Sequence, residues 1–145
     1  MSKCSAMPGS IAAIGQQAAS GLRPFDLAVR EFLDAWQAMN IVSKRDAIRD
    51  EPCRIGVVED AYLAALAEHL AHLDSLSVPD WSERPDRFLE TPFFAGGLES
   101  LKATLLVESP LAFRRRLIFI SANALSRPRR EFNQDNALNV SNLDV

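Results

Sequence analysis

The side chains best suited to recognition chemistry are three consecutive arginines, Arg114–Arg116, set between apolar residues in the stretch SPLAFRRRLIFIS. A guanidinium group stays charged and presents several N–H donors in one plane, which suits carboxylates and phosphates. Three roles are open to this cluster. The arginines could pair with the protein's own acids, contact a nucleic-acid backbone, or dock on a protein partner beside aromatic anchors.

Charge is distributed unevenly along the chain. Residues 57–99 contain nine acids and two arginines, whereas residues 110–130 contain six arginines and no acid, although the net charge is only −3. A basic surface produced in this way would attract phosphate or an acidic protein. The alternative is that the two segments neutralise each other inside the fold.

Residues that usually carry catalysis or hold a metal are sparse. His69 and His72 are three positions apart on a predicted helix, a spacing that can bring two imidazoles to one ion, but no third ligand stands at a suggestive position. The sequence has no glycine-rich phosphate loop, no GxSxG and no HExxH. We therefore expect no catalytic residue, no bound metal, no cofactor and no enzymatic activity.

The two cysteines and the apolar runs bear on location. Cys4 and Cys53 lack a metal-type spacing, and we expect reduced thiols, with a disulfide between them as the less favoured alternative. No run approaches the ~20 apolar residues of a membrane helix, and the N-terminus lacks the continuous apolar stretch of a signal peptide. These features predict a cytoplasmic protein without a membrane partner.

Apolar periodicity predicts an all-α fold in a single domain. Apolar residues spaced by three and four predict strong helices over residues 24–39 and 57–75. Shorter helices are predicted over residues 43–48, 98–107 and 110–125. Residues 117–121, LIFIS, could alone form a buried strand, but we favour a helix because no other segment offers a good β pattern.

The domain is expected to span residues 23–130. A flexible arm is predicted at 1–22, where Gly15 weakens a short helix, and a flexible tail at 131–145. Residues 77–97, SVPDWSERPDRFLETPFFAGG, contain three prolines and predict a long ordered loop. Its rings either wrap the core or serve as anchors for a partner; they include Trp81, Phe88, Phe93 and Phe94.

Residues 78–127 resemble the C-terminal half of a family of small bacterial helical proteins. The shared signature runs Pro-x-Trp, Arg-Phe-Leu, Pro-Trp/Phe-Phe, Ser-Pro-x-x-Phe-Arg-Arg-Arg and Ala-Asn-x-Leu. The chain matches it at Pro79, Trp81, Arg87, Phe88, Leu89, Pro92, Phe94, Ser109, Pro110, Phe113, Arg114, Arg115, Arg116, Ala122, Asn123 and Leu125.

The resemblance implies a function, because such proteins are associated with genes for nucleotidyltransferase-like toxins. It implies a cognate antitoxin that covers the toxin's active cleft or locks its conformation. The alternative is a regulator that binds operator DNA of its own operon. The sequence does not indicate whether the protein forms homo-oligomers. The residues expected to contact the partner are Trp81, Arg87, Phe88, Phe93, Phe94, Arg114, Arg115 and Arg116.

Overall fold

The computed structural model describes residues 6–96, 99–121 and 123–126. Within these ranges the chain forms six α-helices and one small sheet. The helices are α1 (Ile11–Ala19), α2 (Phe25–Trp36), α3 (Ile41–Arg49), α4 (Val57–Leu73), α5 (Lys102–Glu108) and α6 (Leu111–Arg114), and the strands are β1 (Phe93–Phe94) and β2 (Ile118–Phe119). The predicted all-α, compact multi-helix fold is confirmed. Within the described residues, every helix is too short or too polar to traverse a lipid bilayer.

Helix α4 is the centre of the fold. Ten of its 17 residues are buried, and they occupy several faces of the helix rather than one stripe. Five of the ten are alanines, which favour helix and let neighbouring elements approach closely. Helices α2 and α6 and the loop after α4 all add buried side chains to the same core cluster. The position of α4 therefore fixes the positions of the elements around it.

Helix α1 contradicts the predicted flexible arm over much of residues 1–22. Ser10 caps the helix by accepting a hydrogen bond from the backbone N–H of Ala13 at 3.2 Å, and Ile11 and Ile14 are buried. A Cβ at Gly15 would lie 2.9 Å from the backbone nitrogen of Cys53. The glycine that weakens this helix in isolation is thus what lets it pack closely, and the buried isoleucines hold it there.

Cys53 is disulfide-bonded, so the expectation of reduced thiols is wrong. The close approach of α1 to residues 52 and 53 places this helix beside Cys53. The spacing of the cysteines in the sequence could not indicate that α1 approaches Cys53, because this approach depends on how α1 packs. The other cysteine, Cys4, lies outside the described residues.

The predicted helix over residues 110–125 is also wrong. Helix α6 has only four residues, and Leu117 then adopts a left-handed conformation with φ of 60°. The chain leaves that turn as β2, which pairs in parallel with β1, in the register Phe93↔Ile118 and Phe94↔Phe119. The strand partner is therefore the proline-rich loop, which shows no alternating pattern of its own. The predicted tail at 131–145 lies outside the described residues.

Candidate functional site

The loop of residues 77–96 is held against the helical core through its aromatic side chains. Two 3₁₀ turns, Asp80–Glu83 and Pro85–Arg87, shape its first half. Trp81 is only 6% exposed, and its indole N–H donates to the carbonyl of Ile48 at 3.0 Å. A buried indole with its one donor satisfied is a core residue, so Trp81 presents no surface to a partner.

Arg87 is buried completely and anchors the second 3₁₀ turn. Its guanidinium donates to the carbonyls of Asp60 at 3.0 Å and Pro52 at 2.8 Å, and to the carboxylate of Glu51 at 3.0 Å. The group also lies 4.9 Å from the ring centroid of Trp81. Burial lowers the pKa of Arg87, and the hydrogen bond to Glu51 opposes that shift. Arg87 therefore ties the loop to α4 and to the segment before it.

Arg116 is buried in the same way. It donates to the carboxylate of Glu68 at 2.7 Å, to the carbonyl of Ala112 at 2.8 Å and to the carbonyl of Ser82 at 2.8 Å. Its guanidinium stacks 4.5 Å from the ring centroid of Phe88. Burial lowers the pKa of Arg116, while Glu68 favours its charged form. The side chain joins α4, α6 and the loop.

Arg115 completes this internal network from a more exposed position. It donates to Glu68 at 2.6 Å and to both carboxylate oxygens of Glu83, at 3.0 and 3.1 Å. These hydrogen bonds, first to Glu83 and then to Glu68, raise the pKa of Arg115. The hydrogen bond between Arg115 and Glu83 also lowers the pKa of Glu83. Arg115 and Arg116 thus pair with acids of residues 57–99. This is the first of the three predicted roles, in which the arginines pair with the protein's own acids.

The remaining predicted contact residues differ in accessibility. Phe88 is half-buried beneath Arg115 and Arg116. Phe94 is half-buried and stacks on Phe119, with ring centroids 4.9 Å apart. Phe93 is 38% exposed, and Arg114 is exposed. Of the eight predicted contact residues, only Phe93 and Arg114 present a substantial free surface without a side-chain ion pair within the described chain.

Exposed apolar side chains lie on the two short helices that lead to Arg114, and the sequence did not single them out. Helix α5 buries only Leu105. We call the exposed large apolar side chains of α5, of α6 and of Leu101, which immediately precedes α5, together with Arg114, the α5–α6 strip. Arg114 follows Leu111 by three positions and therefore shares its side of α6. The members of the strip are Leu101 (43% exposed), Leu106 (45%), Val107 (78%), Leu111 (60%) and Arg114.

Apolar periodicity could not find this strip. Leu101 and Leu105 match a core-facing stripe, so the sequence predicts burial for both, but only Leu105 is buried. One sequence feature did indicate an exposed apolar residue. Residues 105–107, LLV, are consecutive, and consecutive residues of a helix cannot all face one side. At least one large apolar side chain in such a run must point away from the core.

A groove opens near the N-terminal ends of α2 and α4. We call it the α2–α4 groove, and its cavity volume is about 520 Å³. Its walls come from the first turns of α2 and α4, from β1 and from the residues after β2. The lining residues are Phe25, Asp26, Val29, Arg30, Val58, Glu59, Tyr62, Phe93, Ala95, Gly96, Ile120 and Ala124. Phe93 thus belongs to this groove and not to the α5–α6 strip.

The two histidines do not form a metal centre in the described structure. His69 is half-buried, with its ring centroid 6.2 Å from that of Phe113, and His72 is exposed. Burial, and then the nearby charge of His72, lower the pKa of His69. No group of three or more His, Cys, Asp or Glu residues within the described ranges could hold a metal ion.

Comparison with known proteins adds no relative from which function could be transferred. No protein family, no curated protein and no solved structure matches this chain.

Proposed function

We propose that this protein is a non-enzymatic antitoxin-type binding protein that neutralises a cognate nucleotidyltransferase-like toxin, and that it contacts the toxin through the α5–α6 strip. The observation that carries the proposal is the group of exposed apolar side chains on two consecutive short helices beside Arg114. Arginine is one of the residues that commonly carry much of the binding energy at the centre of an interface, and covering exposed leucine and valine side chains adds hydrophobic burial.

The free arginine distinguishes the strip from a surface of scattered apolar residues. Arg114 has no carboxylate within salt-bridge distance among the described residues, whereas Arg115 and Arg116 both share Glu68. An unpaired arginine beside leucines is available to pair with an acid of the partner. The expected toxin surface is therefore apolar with at least one exposed carboxylate.

Burial of the strip would supply useful binding energy. Covering the exposed parts of Val107 and Leu111 contributes about 1–2 kcal/mol each, because full burial of such side chains is worth roughly 1.5–3 kcal/mol. Leu101 and Leu106 add smaller amounts. Each 1.4 kcal/mol corresponds to about a tenfold change in affinity. Loss of one central leucine should therefore weaken binding measurably.

The alternative, a repressor that binds its own operator DNA, has no described element to support it. A recognition helix must be long enough to lie in the major groove, and α6 contains four residues. Arg115 and Arg116 are occupied by Glu68 and Glu83. Arg127, Arg129 and Arg130 lie outside the described residues. A salt-titrated shift assay on the operon's promoter tests this function, and absence of binding at low salt excludes it.

The proposal places the protein in the cytoplasm with its target, and one ground for that location has been lost. Reduced cysteines would have agreed with a reducing compartment, but Cys53 is disulfide-bonded. Fractionation of cells that carry the tagged protein measures the location directly.

The experiment is a pull-down with the toxin encoded beside this gene, together with rescue of cells that express that toxin. Leu111→Asp and Arg114→Glu should each weaken binding at least about tenfold, since each places a negative charge in the contact. Leu22→Asp is the matched control, because Leu22 is 76% exposed and lies between α1 and α2, outside the strip. It should bind like the wild type.

The possible failures are distinguishable. If the wild-type protein neither binds the toxin nor rescues the cells, the antitoxin function is refuted. If the wild type rescues and both strip variants rescue equally well, the function stands and the α5–α6 strip is excluded as the contact. Thermal unfolding of each variant should match the wild type, because both substituted side chains are exposed.

A further inference from the structure

The α2–α4 groove combines an apolar floor with aromatic walls. Val29 and Ile120 are buried at its base. Phe25 and Tyr62 meet edge to face with ring centroids 5.7 Å apart, and Phe93 of β1 also lines the groove. The volume of about 520 Å³ lies within the range of sites that accept small ligands or a few side chains of a peptide.

The charges of the groove are not neutralised within the described structure. Asp26 and Glu59 lie in the first turns of α2 and α4, where the helix dipole stabilises a carboxylate. Among the described residues, no basic side chain lies within salt-bridge distance of Asp26 or Glu59. Arg30, which also lines the groove, pairs with neither of them. Other acids of the protein do pair, as Glu51 does with three arginines. The groove therefore keeps an excess of negative charge.

We propose that the α2–α4 groove binds a peptide segment of a partner protein that carries a lysine or arginine next to an aliphatic residue. The carboxylates of Asp26 and Glu59 pair with the cationic group. The faces of the aromatic walls attract the same cation, and the floor accepts the aliphatic side chain. This site does not depend on the α5–α6 strip, which is formed by different elements.

The exposure of the rim favours a peptide over a small amine. Phe93 is 38% exposed, and Asp26 and Arg30 are exposed as well. A small cation held between the rings would leave these rim residues in water. A chain segment that continues past the cation covers them, and its own polar groups can meet Arg30.

A selection from a random-peptide phage library on the immobilised full-length protein tests the proposal. The enriched peptides should share a lysine or arginine adjacent to an aliphatic residue. A labelled synthetic peptide with that consensus is then titrated by fluorescence polarisation. Asp26→Asn with Glu59→Gln should weaken its binding at least about tenfold, because two charge-assisted contacts are removed.

The control separates a groove effect from a general loss of negative charge. Asp50→Asn with Glu90→Gln removes the same charge from exposed sites that do not line the groove, and this variant should bind like the wild type. Equal affinity of the groove variant and the wild type, or enrichment without basic residues, overturns the proposal. Enriched peptides that reproduce this chain's own sequence also overturn it, since the occupant is then another part or copy of the chain.

Discussion

Substitution of Glu68 by glutamine should destabilise the fold more than any surface change. Glu68 is 2% exposed, and one of its oxygens accepts hydrogen bonds from Arg116 at 2.7 Å and from Arg115 at 2.6 Å. Removing its charge leaves the guanidinium of Arg116, which is fully buried, without a close carboxylate, because the next one, of Glu83, is 3.9 Å away. Breaking a buried pair from one side costs about 3–5 kcal/mol.

The measurement is the free energy of unfolding from urea titration, with thermal unfolding as a second readout. A loss of 3–5 kcal/mol is a large part of the roughly 5–15 kcal/mol of a typical domain. It corresponds to a fall in Tm of about 10–15 °C for a chain of this length. The effect of Glu68→Gln should shrink in an Arg116→Met background, because the buried cation is then absent.

The control for this prediction is Glu99→Gln. Glu99 pairs with Lys102 at 2.8 Å, but its side chain is 83% exposed, so the expected loss is below about 0.5 kcal/mol. A loss of less than 1 kcal/mol for Glu68→Gln would refute the reasoning. In that case the arginines would find equivalent partners without Glu68, and the network would not hold the loop.

Three further predictions concern the N-terminal helix, the disulfide and pH. Gly15→Ala should lower stability by about 1–3 kcal/mol in urea titration, although helix propensity alone predicts a gain of about 1 kcal/mol, because the new Cβ would lie 2.9 Å from the backbone nitrogen of Cys53. A rise in stability would show that α1 is not packed there. Reduction of the disulfide at Cys53 with dithiothreitol should lower the free energy of unfolding by about 2–4 kcal/mol, and an unchanged Tm would contradict this. Burial lowers the pKa of His69, so its contribution to stability is complete above pH ~6.5 and is lost as the pH falls through the lower folded value. The wild type should therefore lose more stability on acidification below pH 6.5 than His69→Gln does, and NMR titration of His69 should show a midpoint below 6.5.

The long helices could be predicted from sequence because their signal is local. Helix α2 has large apolar residues at steps of three and four, and Val29, Phe32 and Trp36 of that stripe are buried. In contrast, β1 and β2 contain two residues each, too few to show an alternating pattern. Each strand exists because the other is brought beside it by the tertiary fold. Apolar periodicity reports only local structure, so it could not predict these two strands.

The candidate site was harder to predict for a geometric reason. Arg114 ends α6, and Arg115 and Arg116 continue its last turn, where neighbouring residues point about 100° apart. Arg114 therefore reaches solvent, Arg115 lies at the boundary and Arg116 enters the core. The sequence indicated arginines beside exposed aromatic rings. Arg115 and Arg116 do lie over the ring of Phe88, but that ring is half-buried and both arginines pair with Glu68. Of the three, only Arg114 is left free within the described residues, and the exposed apolar residues that precede it in the chain are leucines and a valine of the α5–α6 strip.

The way in which the loop of residues 77–96 is anchored has a consequence for the order of folding. Its anchors join residues distant in sequence: Arg87 binds carbonyls 27 and 35 positions earlier, and Arg116 binds a carbonyl 34 positions earlier. Contacts between distant residues form late, because long stretches of chain must first be brought together. We therefore expect the loop to become ordered only after α4 and α6 are in place. Amide hydrogens of the loop and of β2 should consequently exchange together, as one cooperative unit that opens before α4.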